Sequence, residues 1–274
     1  MKKSPKKLNF IFWGTPEVAS QTLEILKEHG YRPELIVTAP DRPKGRGMEI
    51  TPPPVKVWAE KNKIPYLQDL EKLSDMPEYD LSIVVAFGKI LSKEILDAPK
   101  LGSINVHYSL LPKYRGASPV ESAILAGEIE TGVTIQRMVY KMDAGPILAQ
   151  EKVAILPDET ASELRKRLTG LGAAMLAKLL GSPDWKETPQ DESLATYSKK
   201  IKKEDGLVDL NDDSIKNYNK FRAYAEWPRT YFFRRNLPAG RQERIIITDA
   251  ELKDGQFRIK RVIPEGGKEM DWKA

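Results

Sequence analysis

Cysteine is absent from this 274-residue chain. Disulfides, thiolate nucleophiles and cysteine-held metal are therefore excluded. Histidine is nearly as scarce. The two, His29 and His107, lie far apart and lack His-Glu-x-x-His spacing, so no metal site is expected. No apolar run approaches the ~20 residues of a membrane helix. Leu8–Trp13, behind the lysine-rich Met1–Lys7, is too short for the apolar core of a secretory signal. Neither sign of charge dominates: 44 basic against 39 acidic residues leave a net charge of +5. Glycine fingerprints of the GxGxxG and GxxxxGK[ST] kinds are also missing, which disfavours a dinucleotide or P-loop site. The expectation is a soluble, cytoplasmic protein of two domains, with no metal and no membrane partner.

Ordered elements are plentiful. Leu8 to Trp13 is an apolar run of strand length, ended by Gly14-Thr15-Pro16. Thr15 suits an N-cap, Pro16 the first helical position and Glu17 the positive helix end. A helix is expected from Glu17 to about Glu28, with His29 serving its last carbonyls before Gly30. Glu34–Ala39 reads as the next strand, and strand–helix–strand in this compass predicts a parallel sheet. Pro40 to Pro54 reads as a long Pro- and Gly-rich loop carrying Arg42, Lys44 and Arg46. A helix from Val55 to Lys63 follows, then a strand from Leu81 to Phe87 ending at Gly88, a short helix Ser92–Leu96 and a strand Ser103–His107. Helix Val120–Gly127, extended runs Val133–Val139 and Pro146–Ile155, and a long helix Ser162–Leu180 complete this part.

An acidic stretch poor in apolar residues begins at Gly181 and reads as a linker. The predicted division is 1–181, a linker at 182–205, and a second domain at 206–274. The tail from about Asn211 reads as short strands and turns, a small β domain with Trp227, Tyr231 and Phe233 as core. Its arginines, among them Arg222, Arg229, Arg234, Arg235, Arg241 and Arg244, make one of four basic clusters that favour a polyanionic partner.

The chemistry concentrates in Ser103-Ile104-Asn105-Val106-His107-Tyr108-Ser109-Leu110-Leu111-Pro112. Alternate strand residues face one side, so Asn105, His107 and Ser109 would project together. Such a set can hold a carbonyl and move a proton. Asp143, in Met142-Asp143-Ala144-Gly145, reads from spacing alone as either a turn residue or a partner for the imidazole.

Taken in order, several stretches resemble the folate-dependent formyltransferase family. They are Phe12-Trp13-Gly14-Thr15-Pro16-Glu17, Pro40 to Gly47, Asn105 to Pro112, Tyr114-Arg115-Gly116-Ala117-Ser118-Pro119 and Met142 to Leu148, then Ala195-Thr196-Tyr197 and Trp227-Pro228. The resemblance implies an α/β, Rossmann-like domain with a mostly parallel sheet, followed by a shortened OB-like β domain. It implies transfer of a formyl group from 10-formyltetrahydrofolate to an amine, with Asn105, His107 and Asp143 matching the catalytic trio. Ser109, Leu110, Leu111 and Pro112 match the folate-binding signature, with Phe87 and Gly88 as a further wall; core packing is an equal reading for Phe87. Arg42, Lys44 and Arg46 match a loop that grips the acceptor arm of initiator methionyl-tRNA, the implied acceptor of a monomeric enzyme. A sugar-nucleotide or another small amine is the alternative acceptor, and a non-catalytic RNA-binding protein on the same fold is the alternative of another class.

Overall fold

The computed structural model describes residues 8–45, 47–69, 78–182, 184–234 and 242–273. Arg46, Arg235 and Arg241 lie outside them. The chain divides into two compact units, one of residues 1–115, 132–152 and 166–197, the other of 116–131, 153–165 and 198–274.

The strands of the main sheet are β1 (Phe10–Gly14), β2 (Leu35–Val37), β5 (Tyr66–Leu67), β6 (Leu81–Val85), β7 (Ser103–His107), β9 (Glu130–Arg137) and β10 (Ile147–Ala154), in the order β10-β9-β7-β6-β1-β2-β5. From β5 to β7 every neighbour is parallel, and β9 joins β7 antiparallel. Every residue of β1 and β6 is buried, as expected of strands covered on both faces. Helices α1 (Glu17–Glu28), α2 (Pro54–Asn62) and α3 (Lys93–Asp97) fill the connections, and α5 (Ala161–Leu180) follows β10. One side of the core gathers Ile11, Trp13, Val37, Tyr79, Val84 and Phe87. The indole N–H of Trp13 donates to Ser82 Oγ at 3.0 Å, so this deeply buried polar atom is satisfied.

Two local expectations are corrected. The N-cap of α1 is Pro16, not Thr15, and the Thr15 hydroxyl instead donates to the Phe87 carbonyl at 3.3 Å. The segment read as a loop contains an antiparallel hairpin, β3 (Arg42–Lys44) with β4 (Glu49–Thr51), in which Arg42 faces Thr51 and Lys44 faces Glu49. At its base Asp41 accepts from Lys56 at 2.7 Å and from Gln68 at 2.8 Å. His29, by contrast, stands where it was expected: its Nδ1 lies 2.9 Å from the Ile25 carbonyl.

Two-residue strands β8 (Arg115–Gly116) and β11 (Tyr197–Ser198) aside, the second unit holds α4 (Pro119–Leu125), α6 (Ser214–Ala223) and an antiparallel meander. The meander runs β12 (Tyr231–Arg234), β13 (Glu243–Lys253), β14 (Gln256–Pro264), β15 (Met270–Asp271). Helix α6 was not expected in the tail; the Asp213 side chain caps it by accepting from Lys216 N at 2.8 Å. The core here is Val208, Phe232, Ile245, Ile247, Ala250 and Val262. Tyr231 is buried, but Trp227 and Phe233 are 54% and 40% exposed, so the neighbouring Phe232 takes the core position assigned to Phe233. Arg222 is no free cation either. It is buried and donates to the carbonyls of Leu156 and Glu159 and to Asn219 Oδ1.

Candidate active site

The site starts from two paired strands. Across β7 and β9, Asn105 faces Gln136 and His107 faces Thr134. Directly opposed residues share a face, as do alternate ones. Asn105, His107, Thr134 and Gln136 therefore form one polar patch, while Ile104, Val106, Val133 and Ile135 are buried in the alternate register. Asn105 is half-buried and His107 buried.

Asp143 reaches this patch from the turn after β9. Its Oδ2 lies 3.7 Å from His107 Nδ1, and its Oδ1 accepts from Gln136 Nε2 at 2.9 Å. The other imidazole nitrogen, Nε2, is 2.9 Å from the Tyr114 carbonyl. A carbonyl only accepts, so Nε2 carries the proton of that bond. Nδ1 is thereby left to exchange a proton with the carboxylate it faces. The turn is tight. Asp143 has a left-handed φ of 50°, and a Cβ at Gly145 would overlap the Arg137 carbonyl oxygen, so only glycine fits there.

Ser109 to Pro112 follow the carboxyl end of β7, where open α/β sheets hold their ligands. Each carbonyl of this loop is engaged. Ser109 O accepts from Thr134 Oγ1 (2.6 Å), Leu110 O from Lys113 N (3.0 Å), Leu111 O from Gln150 Nε2 (2.9 Å) and Pro112 O from Thr196 N (3.2 Å). The Ser109 hydroxyl turns inward to the Lys113 carbonyl at 2.6 Å, and Leu111 N donates to Thr134 Oγ1 at 3.1 Å. Leu111 is buried and Leu110 half-buried, its Cδ2 lying over Gly132. Past β6, Phe87 is buried edge-on against Trp13 with ring centroids 5.5 Å apart, and Gly88 follows with φ of 79°. On the hairpin, Arg42 is exposed, as are Met48 and Ile50.

Four residues of this site were not singled out from sequence. Thr134 and Gln136 were detectable as the polar alternation within the run Val133–Val139. Gln150 and Gln190 left no such mark. Gln190 belongs to the stretch read as linker, yet its Nε2 donates to the carbonyls of Asp143 at 2.9 Å and Gly145 at 2.7 Å. Its Oε1 accepts from Arg115 Nη2 at 2.7 Å and Nε at 3.1 Å. Arg115 is fully buried and forks onto Glu192 at 2.8 and 3.1 Å. With Arg115 and then Lys141 against it, the Glu192 carboxyl is held down to about 2. Among the described residues no group of three or more histidines, aspartates or glutamates is placed to hold a metal ion, and no helix is long and apolar enough to cross a membrane.

Comparison with known proteins agrees with this architecture. The formyl transferase family model matches residues 6–180, and the model of the formyl transferase C-terminal domain matches 200–256. The methionyl-tRNA formyltransferase of Geobacter sulfurreducens is 44% identical over 236 residues, covering 82% of this chain and 74% of the relative. That of Moorella thermoacetica is 40% identical over 271 residues, covering 94% and 85%. Among solved structures, the methionyl-tRNA formyltransferase from Clostridium thermocellum superposes with a TM-score of 0.63 at 15% identity, over 97% of this chain and all of that one. The sugar 3N-formyl transferase WlaRD gives a TM-score of 0.66 at 18% identity, over 94% and 93%. At such identities the structures speak for the fold alone. The family models and the relatives at 40% and 44% identity speak for more: the chain belongs to the formyl transferase family.

Proposed function

We infer that this protein transfers the formyl group of 10-formyltetrahydrofolate to the free amino group of initiator methionyl-tRNA. The observation that carries the reading is the facing of His107 and Asp143 on the β7–β9 patch that also bears Asn105, in a chain 44% identical to methionyl-tRNA formyltransferases. In the reaction the methionyl nitrogen attacks the formyl carbon. A C–N bond forms, the carbon's bond to N10 of the folate breaks, the attacking nitrogen loses a proton and N10 gains one. Asn105 donates to the oxyanion of the tetrahedral intermediate, a type of contact whose loss elsewhere costs ~3–4 kcal/mol. His107 and Asp143 form the proton path: the carboxylate takes the proton from the attacking nitrogen, with Nδ1 of the imidazole beside it to share it.

Ser109 to Pro112, with Phe87 and Gly88, border the folate. The hydrogen-bonded carbonyls make that loop stiff, and Leu110 supplies an apolar wall. Arg42 and Lys44 of the hairpin, together with Arg46, take phosphates of the tRNA. In this reading catalysis lies in 1–181 and tRNA holding in 206–274, and the connecting 182–205 also bonds to the Asp143 turn, in a monomeric cytoplasmic enzyme without metal. The test is direct. The protein is incubated with 10-formyltetrahydrofolate and methionyl-tRNA, the ester is hydrolysed, and formyl-methionine is measured beside a His107→Ala control. Formyl-methionine from the wild type alone is expected. Formylation of a dTDP-amino sugar, with none of methionyl-tRNA, overturns the reading.

A further inference from the structure

The segment 187–197 is bonded to the backbone that carries Asp143 and to the backbone that receives the His107 imidazole. On one side Gln190 donates to the carbonyls of Asp143 and Gly145. These flank the left-handed turn that aims the Asp143 carboxylate. On the other side Thr196 is bonded three times to the chain that receives His107. Its N donates to Pro112 O at 3.2 Å, its Oγ1 accepts from Tyr114 N at 2.8 Å, and its O accepts from Arg115 N at 2.9 Å. Tyr114, itself left-handed at φ 59°, carries the carbonyl that holds His107 Nε2. Arg115 links the two sides through Gln190 and Glu192. A left-handed non-glycine residue persists only where its surroundings over-determine it. Here they do so at both residues.

We propose that Gln190 is a positioning residue for formyl transfer, holding Asp143 at its distance from His107 by bonding both carbonyls of the Asp143 turn. This rests on the formyl-transfer reading. Gln190 touches no reacting atom. It acts through Asp143, and its other face is held by the buried guanidinium of Arg115, which keeps the amide from rotating. With the 3.7 Å spacing between carboxylate and imidazole, a small drift of the turn separates the pair.

The test uses Gln190→Met and Gln190→Glu in the full-length chain. Gln190→Met keeps the length and removes every bond. Gln190→Glu keeps acceptors for Arg115 but cannot donate to the turn carbonyls. Both are expected to lower kcat about 10- to 100-fold, the scale of a misplaced catalytic group, with KM for folate and methionyl-tRNA near wild type. Gln190→Glu should melt below wild type, because its carboxylate faces the two turn carbonyls, but stay folded at the assay temperature, because Arg115 keeps its partners. A second readout does not need activity. With two histidines in the chain, their ring signals can be resolved by NMR. Gln190→Met should displace the His107 signals in the direction that Asp143→Asn does and leave those of His29 unmoved. Unchanged His107 signals, or wild-type kcat in Gln190→Glu, overturn the proposal. Absence of formyl transfer by the wild type overturns the functional reading instead, and the His107 signals then still decide whether Gln190 sets the pair.

Discussion

Replacing Thr134 by valine tests the architecture of the site at its most constrained atom. Thr134 Oγ1 donates to Ser109 O at 2.6 Å and accepts from Leu111 N at 3.1 Å and Gln150 Nε2 at 2.8 Å. The side chain is fully buried. Valine has the same outline, so no sizeable cavity is created and the effect is that of the lost bonds. Leu111 N is left as a buried donor without this acceptor, which costs ~1–3 kcal/mol, and the lost bond to Ser109 O adds ~1 kcal/mol. Gln150 keeps its bond to Leu111 O and adds little. The expected loss is about 2–4 kcal/mol. Thr134→Ser retains the hydroxyl and should recover most of it. Urea denaturation of the three proteins reads the total, and hydrogen exchange reads the Leu111 amide itself, whose protection should collapse in Thr134→Val alone. If half of the loss falls on the ordered loop that borders the folate, affinity for 10-formyltetrahydrofolate drops roughly tenfold, at 1.4 kcal/mol per decade. A Thr134→Val protein within about 0.5 kcal/mol of wild type, the scatter of an ordinary surface change, refutes the reasoning. So does a Thr134→Ser protein as damaged as the valine variant.

Further outcomes are expected. His107→Ala and Asp143→Asn should each cost ~10²–10⁴ in kcat while folate still binds, and turnover near wild type in either removes that residue from the proton path. Changing Arg42, Lys44 and Arg46 to alanine should flatten the salt dependence of methionyl-tRNA binding by ~0.7–0.9 log units per lost phosphate contact, whereas an unaltered slope means that the hairpin does not meet phosphates. Burial pushes Tyr218 and Tyr224 each up to about 12, with Asp158 adding to the effect on Tyr218. Their native values lie above the unfolded one, so their stabilising contribution is complete below pH 10 and is lost as pH rises from 10 through 12. Absorbance at the phenolate band should show a late-ionising class of tyrosines, and its absence contradicts this burial. Glu192 behaves in the opposite sense: depressed to about 2 from 4.5, it supports the fold above pH 4.5 and loses that support as pH falls through 2. The stability gap between wild type and Glu192→Gln should therefore narrow between pH 5 and pH 2, and a gap independent of pH contradicts the assigned pairing with Arg115.

The parallel sheet was legible because its strands are short apolar runs punctuated by glycine and proline, and Ser103–His107 was located end to end. What escaped depended on non-local partners. The β3–β4 hairpin is built of Arg-Pro-Lys and Glu-Ile-Thr, which carry little strand preference, and pairing holds it. Helix α6 is mostly polar over its Ser-Ile-Lys-Asn-Tyr-Asn-Lys-Phe-Arg-Ala run, with only Ile215, Tyr218, Phe221 and Ala223 apolar or aromatic, and its clearest local signal is Asp213 at the cap. Phe232 and Phe233 are equally apolar, and only the pairing of Tyr231–Arg234 with β13 decides which of them faces the core. The site divides the same way. His107 and Asp143 stand in recognisable motifs, whereas Gln190 meets Asp143 from 47 residues away.

The polar side chains around the pair share a physical task that explains why the acidic stretch at 187–197 is not a passive connection. Backbone that bends left-handed at Tyr114 and Asp143 cannot satisfy its groups in a helix or strand ladder. Side chains take over. Thr134 and Gln150 close the Ser109–Pro112 loop, Thr196 holds the Pro112–Arg115 chain, and Gln190 holds the Asp143 turn. Side chains that serve as acceptors and donors for main chain must be polar, and a segment made of them lacks the apolar periodicity by which helices and strands are recognised. Low hydrophobicity at 187–197 therefore marks two different things in the sequence, a free linker and a bonded brace. The buried Arg115 separates them: a fully buried guanidinium requires fixed acceptors, and Gln190 and Glu192 provide them. It is the burial of the arginine in Tyr114-Arg115-Gly116, visible only in the fold, that requires an ordered partner segment.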